Sequence, residues 1–203
     1  IVTGGGSVDG LICDLNHQTV IILVKEIHEC SPEVYKKGIK LMTFEHQRNH
    51  PEAKTIDYIT MLKLQSKKQK QKAFEILYKN KGIILEGATS NFFIFKNNKL
   101  ITTKNNVLAG ITRKVVLKLA PKKFKIKVRD IKVNEIKKAT EAFITSTTRE
   151  IVPVVKIDNI KIGDGKVGKN TKLLIELFKK NTRPMDYVRV ASMPAKERCS
   201  TCR

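Results

Sequence analysis

The stretch EGATSNFFIFKNNKLITT, Glu86 to Thr103, opens with an acid and several small or polar residues before any apolar alternation begins. Two other turns share that character: GITR, starting at Gly110, and TSTTRE, starting at Thr145. Such turns expose successive backbone N–H groups, and beside a helix N-terminus they can cradle a phosphate. Each one alone also reads as an ordinary turn or N-cap. Two further groupings have metal or redox spacing. Cys199 and Cys202 form a single C-x-x-C with no second pair, so they supply only two of the four ligands of a structural zinc. His46 and His50 would share a helix face, but Pro51 follows at once and argues against a helix, which favours loop or strand-end histidines over a metal site.

The elements around these turns read as a mixed α and β chain. Thr19–Ile27 (TVIILVKEI) is a β-branched run suited to a buried strand, and Val20 to Val24 would need cover on both faces if that strand were central. IVTGGG is a short apolar run stopped by glycines, and IKLMTFEH is a further strand candidate. Apolar spacing of three and four predicts a helix from Thr55 to about Lys72, with Thr55 or Asp57 as its cap. Two hairpins follow, one around KNKG with Glu86 ending its second strand, the other around the NN of NFFIFKNNKLITT. A helix is expected to start near Gly110 to Thr112, a short one near Glu135 to Ala139, and a last amphipathic one over Asn170 to Lys180. The strand EAFITS lies between the last two and ends in the hydroxyl cluster Thr145 to Thr148. From about Thr182 periodicity is lost.

A length of 203 residues with 41% hydrophobic content suits one good core and part of a second. The net charge of +21 would suit a nucleic acid, but only eight of the forty basic residues are arginines and the lysines are scattered, so no nucleic-acid partner is expected. Four cysteines do not make a disulfide framework, no run reaches the length of a membrane helix, and the first residues lack the marks of a signal peptide. A soluble, cytoplasmic protein without a membrane partner is expected.

Taken in order, AKTIDY, EGATSN, VLAGITR and EAFITSTTREIVPVVKIDNIKIGDGKVG resemble the large domain of the class IV aminotransferases, the fold-type IV pyridoxal-phosphate enzymes. That family includes branched-chain aminotransferases, D-amino-acid aminotransferases and aminodeoxychorismate lyases, and the similarity runs from about Ile1 to Phe178. The resemblance implies an α+β fold of the D-amino-acid aminotransferase type, with pyridoxal 5′-phosphate as cofactor and no metal. Lys54 falls where the family keeps the lysine that bonds the cofactor aldehyde. Glu86 matches the glutamate that pairs with the pyridine nitrogen, and its separation of 32 residues from Lys54 is similar to the D-amino-acid branch. Ser90 and Asn91 then belong to the turn that holds Glu86. Ile111 and Thr112 match the start of the phosphate-binding helix, Ser146 and Thr147 the second phosphate contact, and Leu108 the side chain packed on the ring. Tyr58 resembles a tyrosine that hydrogen-bonds the cofactor's phenolic oxygen, but it lies four residues after the lysine where branched-chain enzymes have five.

The resemblance also implies amino-acid and 2-oxo-acid substrates, transamination as the reaction and a homodimer as the assembly. Lyase chemistry on the same cofactor, or an inactive cofactor-binding remnant, stand as alternatives. Residues 1–31 are read as the remnant of a small domain, 32–181 as the large domain and 182–203 as an unassigned tail. The family's H-x-x-R-L motif, whose arginine clamps the phosphate, does not occur, so an N-terminally truncated chain is expected.

Overall fold

The computed structural model describes residues 2–9, 12–27 and 30–182. Cys199 and Cys202 lie outside them. Strands β1 (Val2–Asp9) and β2 (Ile12–Ile21) pair antiparallel as a two-stranded sheet. The glycines of IVTGGG interrupt β1 without ending it: the register shifts between Gly5 and Gly6, as in a bulge, where a missing side chain permits local bending. The expected buried strand Thr19–Ile27 is corrected in two ways. It ends at Ile21, and Val20 to Val24 and Ile27 are exposed, with Val24 at 93%. The reason is that among the described residues β2 pairs only with β1, and no other described strand pairs with the run.

After α1 (Pro32–Lys37), the remaining strands form one mixed sheet. In chain order they are β3 (Ile39–Glu45), β4 (Glu75–Asn80), β5 (Ile83–Gly87), β6 (Asn91–Lys96), β7 (Lys99–Thr102), β8 (Lys125–Val128), β9 (Ile131–Lys132), β10 (Glu141–Ser146), β11 (Glu150–Ile157) and β12 (Ile160–Lys161). Their spatial order is β8-β7-β6-β10-β11-β3-β4-β5-β9, with β12 paired to β11. Both expected hairpins form. Their turns carry positive φ at Lys81 and Gly82, and at Asn97 and Asn98, the conformation that two-residue loops need to match strand twist. The sheet curls enough for Thr103, just past β7, to donate its hydroxyl to the Ile84 carbonyl of β5 at 2.7 Å.

Helices cover the sheet. The expected helix Thr55 to Lys72 is instead two short ones, α2 (Ile59–Lys63) and α3 (Gln65–Lys70), joined at Leu64, whose amide is shared between the Thr60 and Met61 carbonyls. Residues 55–58 stay outside, and the Asp57 carboxylate accepts the Ile59 amide at 3.3 Å. α4 (Ile111–Leu119) and α5 (Lys169–Thr182) bury Val116, Leu174 and Phe178 against Phe93, Phe95 and Phe143 of the sheet. Phe93 and Phe143 stack at 4.8 Å. The short helix expected near Glu135 is a 3₁₀ turn, Val133–Lys138. No described helix is long and apolar enough to cross a membrane.

Candidate active site

Four segments from distant parts of the chain line a cavity of about 310 Å³. They are the stretch after β3 (Arg48, Lys54, Thr55, Tyr58), the β5–β6 turn from Glu86 to Asn91, the entry to α4 from Leu108 to Thr112, and the end of β10 from Thr145 to Thr147. All ten residues singled out above, Lys54, Tyr58, Glu86, Ser90, Asn91, Leu108, Ile111, Thr112, Ser146 and Thr147, stand on its wall. Sheet topology explains the convergence: β5 and β10 end, and the antiparallel β6 begins, on the side where α4 starts.

Glu86 is 4% exposed and is held by three hydrogen bonds and an ion pair. Its Oε1 accepts Arg48 Nε at 3.0 Å and lies 2.9 Å from Arg48 Nη2 as an ion pair; its Oε2 accepts the Leu108 amide at 2.9 Å and Asn91 Nδ2 at 3.2 Å. Burial pushes its pKa above the ordinary carboxylate value, opposed by the Leu108 amide and the Arg48 cation. Asn91 also donates to the Leu108 carbonyl at 2.7 Å, so one side chain ties the acid to the α4 entry. That closeness explains Gly110, where a Cβ would collide with Asn91 Oδ1.

Ser90 is buried, but its hydroxyl turns away from Glu86 and reaches Glu75 Oε1 at 3.0 Å. Lys54 is exposed at the cavity wall, and Ile111 is exposed at the mouth, while Thr112 is buried. Two features suit an anion. α4 begins at Gly110 with no side-chain cap, leaving first-turn amides free of intrahelical partners. The Thr145 Oγ1 is buried on the same wall with no hydrogen-bond partner, and an orphaned buried hydroxyl needs a ligand or water.

Arg48, Glu75 and Arg149 were not singled out from sequence, and Thr145 only as the first of the hydroxyl cluster Thr145 to Thr148. Arginine scarcity is the signal that could have found two of them: the chain has thirty-two lysines and eight arginines, so an arginine marks a place where fork geometry matters. His46 and His50 are part of the loop beside the cavity, His46 packing edge-on against Tyr78 at 4.8 Å. Among the described residues no group of three or more His, Cys, Asp or Glu could hold a metal ion.

Residues 1–157 match the family described as amino-transferase class IV. A probable branched-chain-amino-acid aminotransferase of Aquifex aeolicus is 44% identical over 107 residues, which is 51% of this chain and 34% of that protein. The D-alanine aminotransferase of Bacillus licheniformis is 32% identical over 141 residues, 68% of this chain and 50% of that protein. Among solved structures, the Escherichia coli branched-chain amino acid aminotransferase is similar with a TM-score of 0.67 at 28% identity, covering 74% of this chain and 53% of that one. A second solved branched-chain amino acid aminotransferase, with pyridoxamine 5′-phosphate, is similar with a TM-score of 0.69 at 25% identity, covering 79% of this chain and 56% of that one. The chain thus spans between a third and just over half of the length of these relatives.

Proposed function

This chain belongs to the class IV aminotransferases, and from that premise we propose that it works as a pyridoxal 5′-phosphate-dependent aminotransferase moving an amino group between a branched-chain or D-amino acid and a 2-oxo acid. The observation that carries the reading is the convergence of Lys54, Glu86, the α4 N-terminus and the Ser146–Thr147 turn on one cavity. Both sequence relatives described above are named aminotransferases, which favours transamination over lyase chemistry.

The residues fit the cofactor. The uncapped amides of α4, the Thr112 hydroxyl and the Ser146–Thr147 turn, with the orphaned Thr145 Oγ1 beside them, would hold its phosphate. Leu108 would pack on the ring and Tyr58 would meet its phenolic oxygen. When bound, the cofactor supplies an aldehyde and an electron-accepting ring. Lys54 Nζ would be the amine that anchors the aldehyde, and as a base it would take the proton from the substrate α-carbon and deliver it to the cofactor's C4′ carbon. Glu86, held by Arg48 and Asn91, would pair with the ring nitrogen and keep a proton there. A cytoplasmic location and a homodimer complete the reading, the dimer supported by the exposed apolar residues Val20 to Val24, which need cover.

The test is spectroscopic. The purified chain given pyridoxal 5′-phosphate is expected to show a visible absorption band that Lys54→Ala abolishes, and to convert an amino acid from a screened set into its 2-oxo acid. A band that survives Lys54→Ala contradicts the assignment.

A further inference from the structure

Arg149 does not line the cavity, yet its guanidinium is committed in three directions around it. Its Nε donates to Ser146 Oγ at 3.1 Å, Nη1 to Glu75 Oε2 at 2.9 Å and Nη2 to Thr89 Oγ1 at 2.6 Å. Glu75 is 5% exposed, and its Oε1 accepts the Thr89 amide at 2.7 Å and the Thr89 and Ser90 hydroxyls at 3.0 Å each. The guanidinium lies over the Phe74 ring at 5.5 Å, and the Arg149 carbonyl accepts the Tyr35 hydroxyl at 3.2 Å. The Arg149–Glu75 ion pair, with the hydrogen bonds that both make to Thr89, therefore ties the β5–β6 turn to the β10–β11 turn, two walls of the cavity that are some sixty residues apart in sequence.

From this geometry we infer that Arg149 is a positioning residue for the anion end of the cavity, acting through the Ser146 hydroxyl. The inference rests on the reading that the cavity takes pyridoxal 5′-phosphate. The Ser146 oxygen accepts the one Nε–H of Arg149, so the hydroxyl's own proton is left to donate elsewhere, and Ser146 lines the cavity. Arg149 thereby occupies one acceptor site of the hydroxyl and biases its proton toward donating to an anion in the cavity. Glu75 neutralises the guanidinium at 2.9 Å, so the effect is one of orientation and not of long-range charge. An aligned donor to a charged group is worth roughly tenfold or somewhat more in affinity.

The experiment compares dissociation constants of the full chain for pyridoxal 5′-phosphate and for pyridoxal, the same ring without the phosphate. Arg149→Gln is expected to weaken the phosphorylated ligand about tenfold and leave pyridoxal unchanged. Ser146→Ala, which keeps the Arg149 bonds to Glu75 and Thr89, should show the same selective loss, and the double variant should be no worse than either single one. Arg149→Lys keeps the charge but cannot serve three directions, so it too should lose selectivity. If Arg149→Gln does not fold, the Ser146→Ala and Arg149→Lys pair decides the matter: selective loss in both supports the role, and full selectivity in Arg149→Lys overturns it. Equal losses for the two ligands, or additive losses in the double variant, overturn the role of Arg149 alone. A wild-type chain that does not prefer the phosphorylated ligand overturns the parent reading as well.

Discussion

Glu135 and Glu86 are both buried, both gripped by an arginine fork, and their acidities move in opposite directions. Glu135, in the 3₁₀ turn before β10, takes 2.8 Å bonds from both Nη atoms of Arg129, an ion pair with Lys96 and the Lys132 amide at 3.1 Å. The Arg129 bonds hold its carboxyl well below the ordinary range. Glu86 has an equally short pair with Arg48, but burial is the strongest influence there and raises its pKa. Exposure separates them: the Arg129 side chain is 40% exposed and that of Arg48 16%. At the edge of the fold the partners win, and under the cavity desolvation does. Short ion-pair geometry thus does not fix the charge state. Glu86 is the one whose charge an arriving cationic group would further stabilise.

The sharpest way to break the comparison is to delete each carboxyl. Glu86→Ala is expected to leave cofactor binding detectable while slowing turnover by about 10²–10³-fold, the range for losing one preorganised electrostatic partner. Glu135→Gln should leave turnover within about twofold. Single-turnover kinetics read the first effect directly, and normal turnover in Glu86→Ala would end its assigned role. Arg48→Met comes next. It strands a buried carboxylate, which should lower stability by about 3 kcal/mol in denaturant unfolding and raise the Glu86 pKa further. Glu135→Gln should cost about 2 kcal/mol by the same measurement, because its cations remain partly solvated.

The two acids should also bend the pH dependence of stability oppositely. The folded pKa of Glu135 is depressed, so its contribution is present above the unfolded value near 4.5 and is lost as pH falls below it. The folded pKa of Glu86 is raised, so its contribution is present below the unfolded value and is lost as pH rises through the folded one. Wild type minus Glu135→Gln should therefore shrink on acidification, and wild type minus Glu86→Gln should grow. Parallel slopes in thermal unfolding between pH 3 and pH 7 would show that the distinction is wrong.

The two regions were not equally legible in the sequence. The NN and KNKG hairpins declare themselves because local turn chemistry decides them. Glu86 stood out as an acid in an odd place, but Arg48, which grips it, lies 38 residues away, and nothing local marks the contact. Lys54 came from resemblance alone: one exposed lysine among thirty-two has no distinguishing neighbour pattern. The run Thr19–Ile27 shows the converse error. Its β-branched composition suits a buried strand, but burial is decided by what pairs with it, and β1 is its only described partner.

The smallest expected effect sharpens the contrast between a wall built into the sheet and a wall that is not. Glu86 lies one residue before the end of β5, and its partner Asn91 opens β6, whereas Tyr58 stands just before α2 on a segment outside any strand. That segment is held to the wall by Arg48, which also donates to the Ala53 carbonyl at 2.9 Å and to the Pro51 carbonyl. If the Tyr58 hydroxyl meets the cofactor's phenolic oxygen, Tyr58→Phe removes one neutral hydrogen bond, worth about 1 kcal/mol, and lowers kcat/KM about fivefold. Its absorption band should shift with pH while that of wild type holds steady, since the hydroxyl stabilises the ionised phenolic oxygen. Adding Arg48→Met should make Tyr58→Phe nearly silent, because a segment released from Glu86 no longer presents the hydroxyl at a fixed place. Additive losses would instead mean that Tyr58 is positioned independently of Arg48, by the packing of α2 on the sheet.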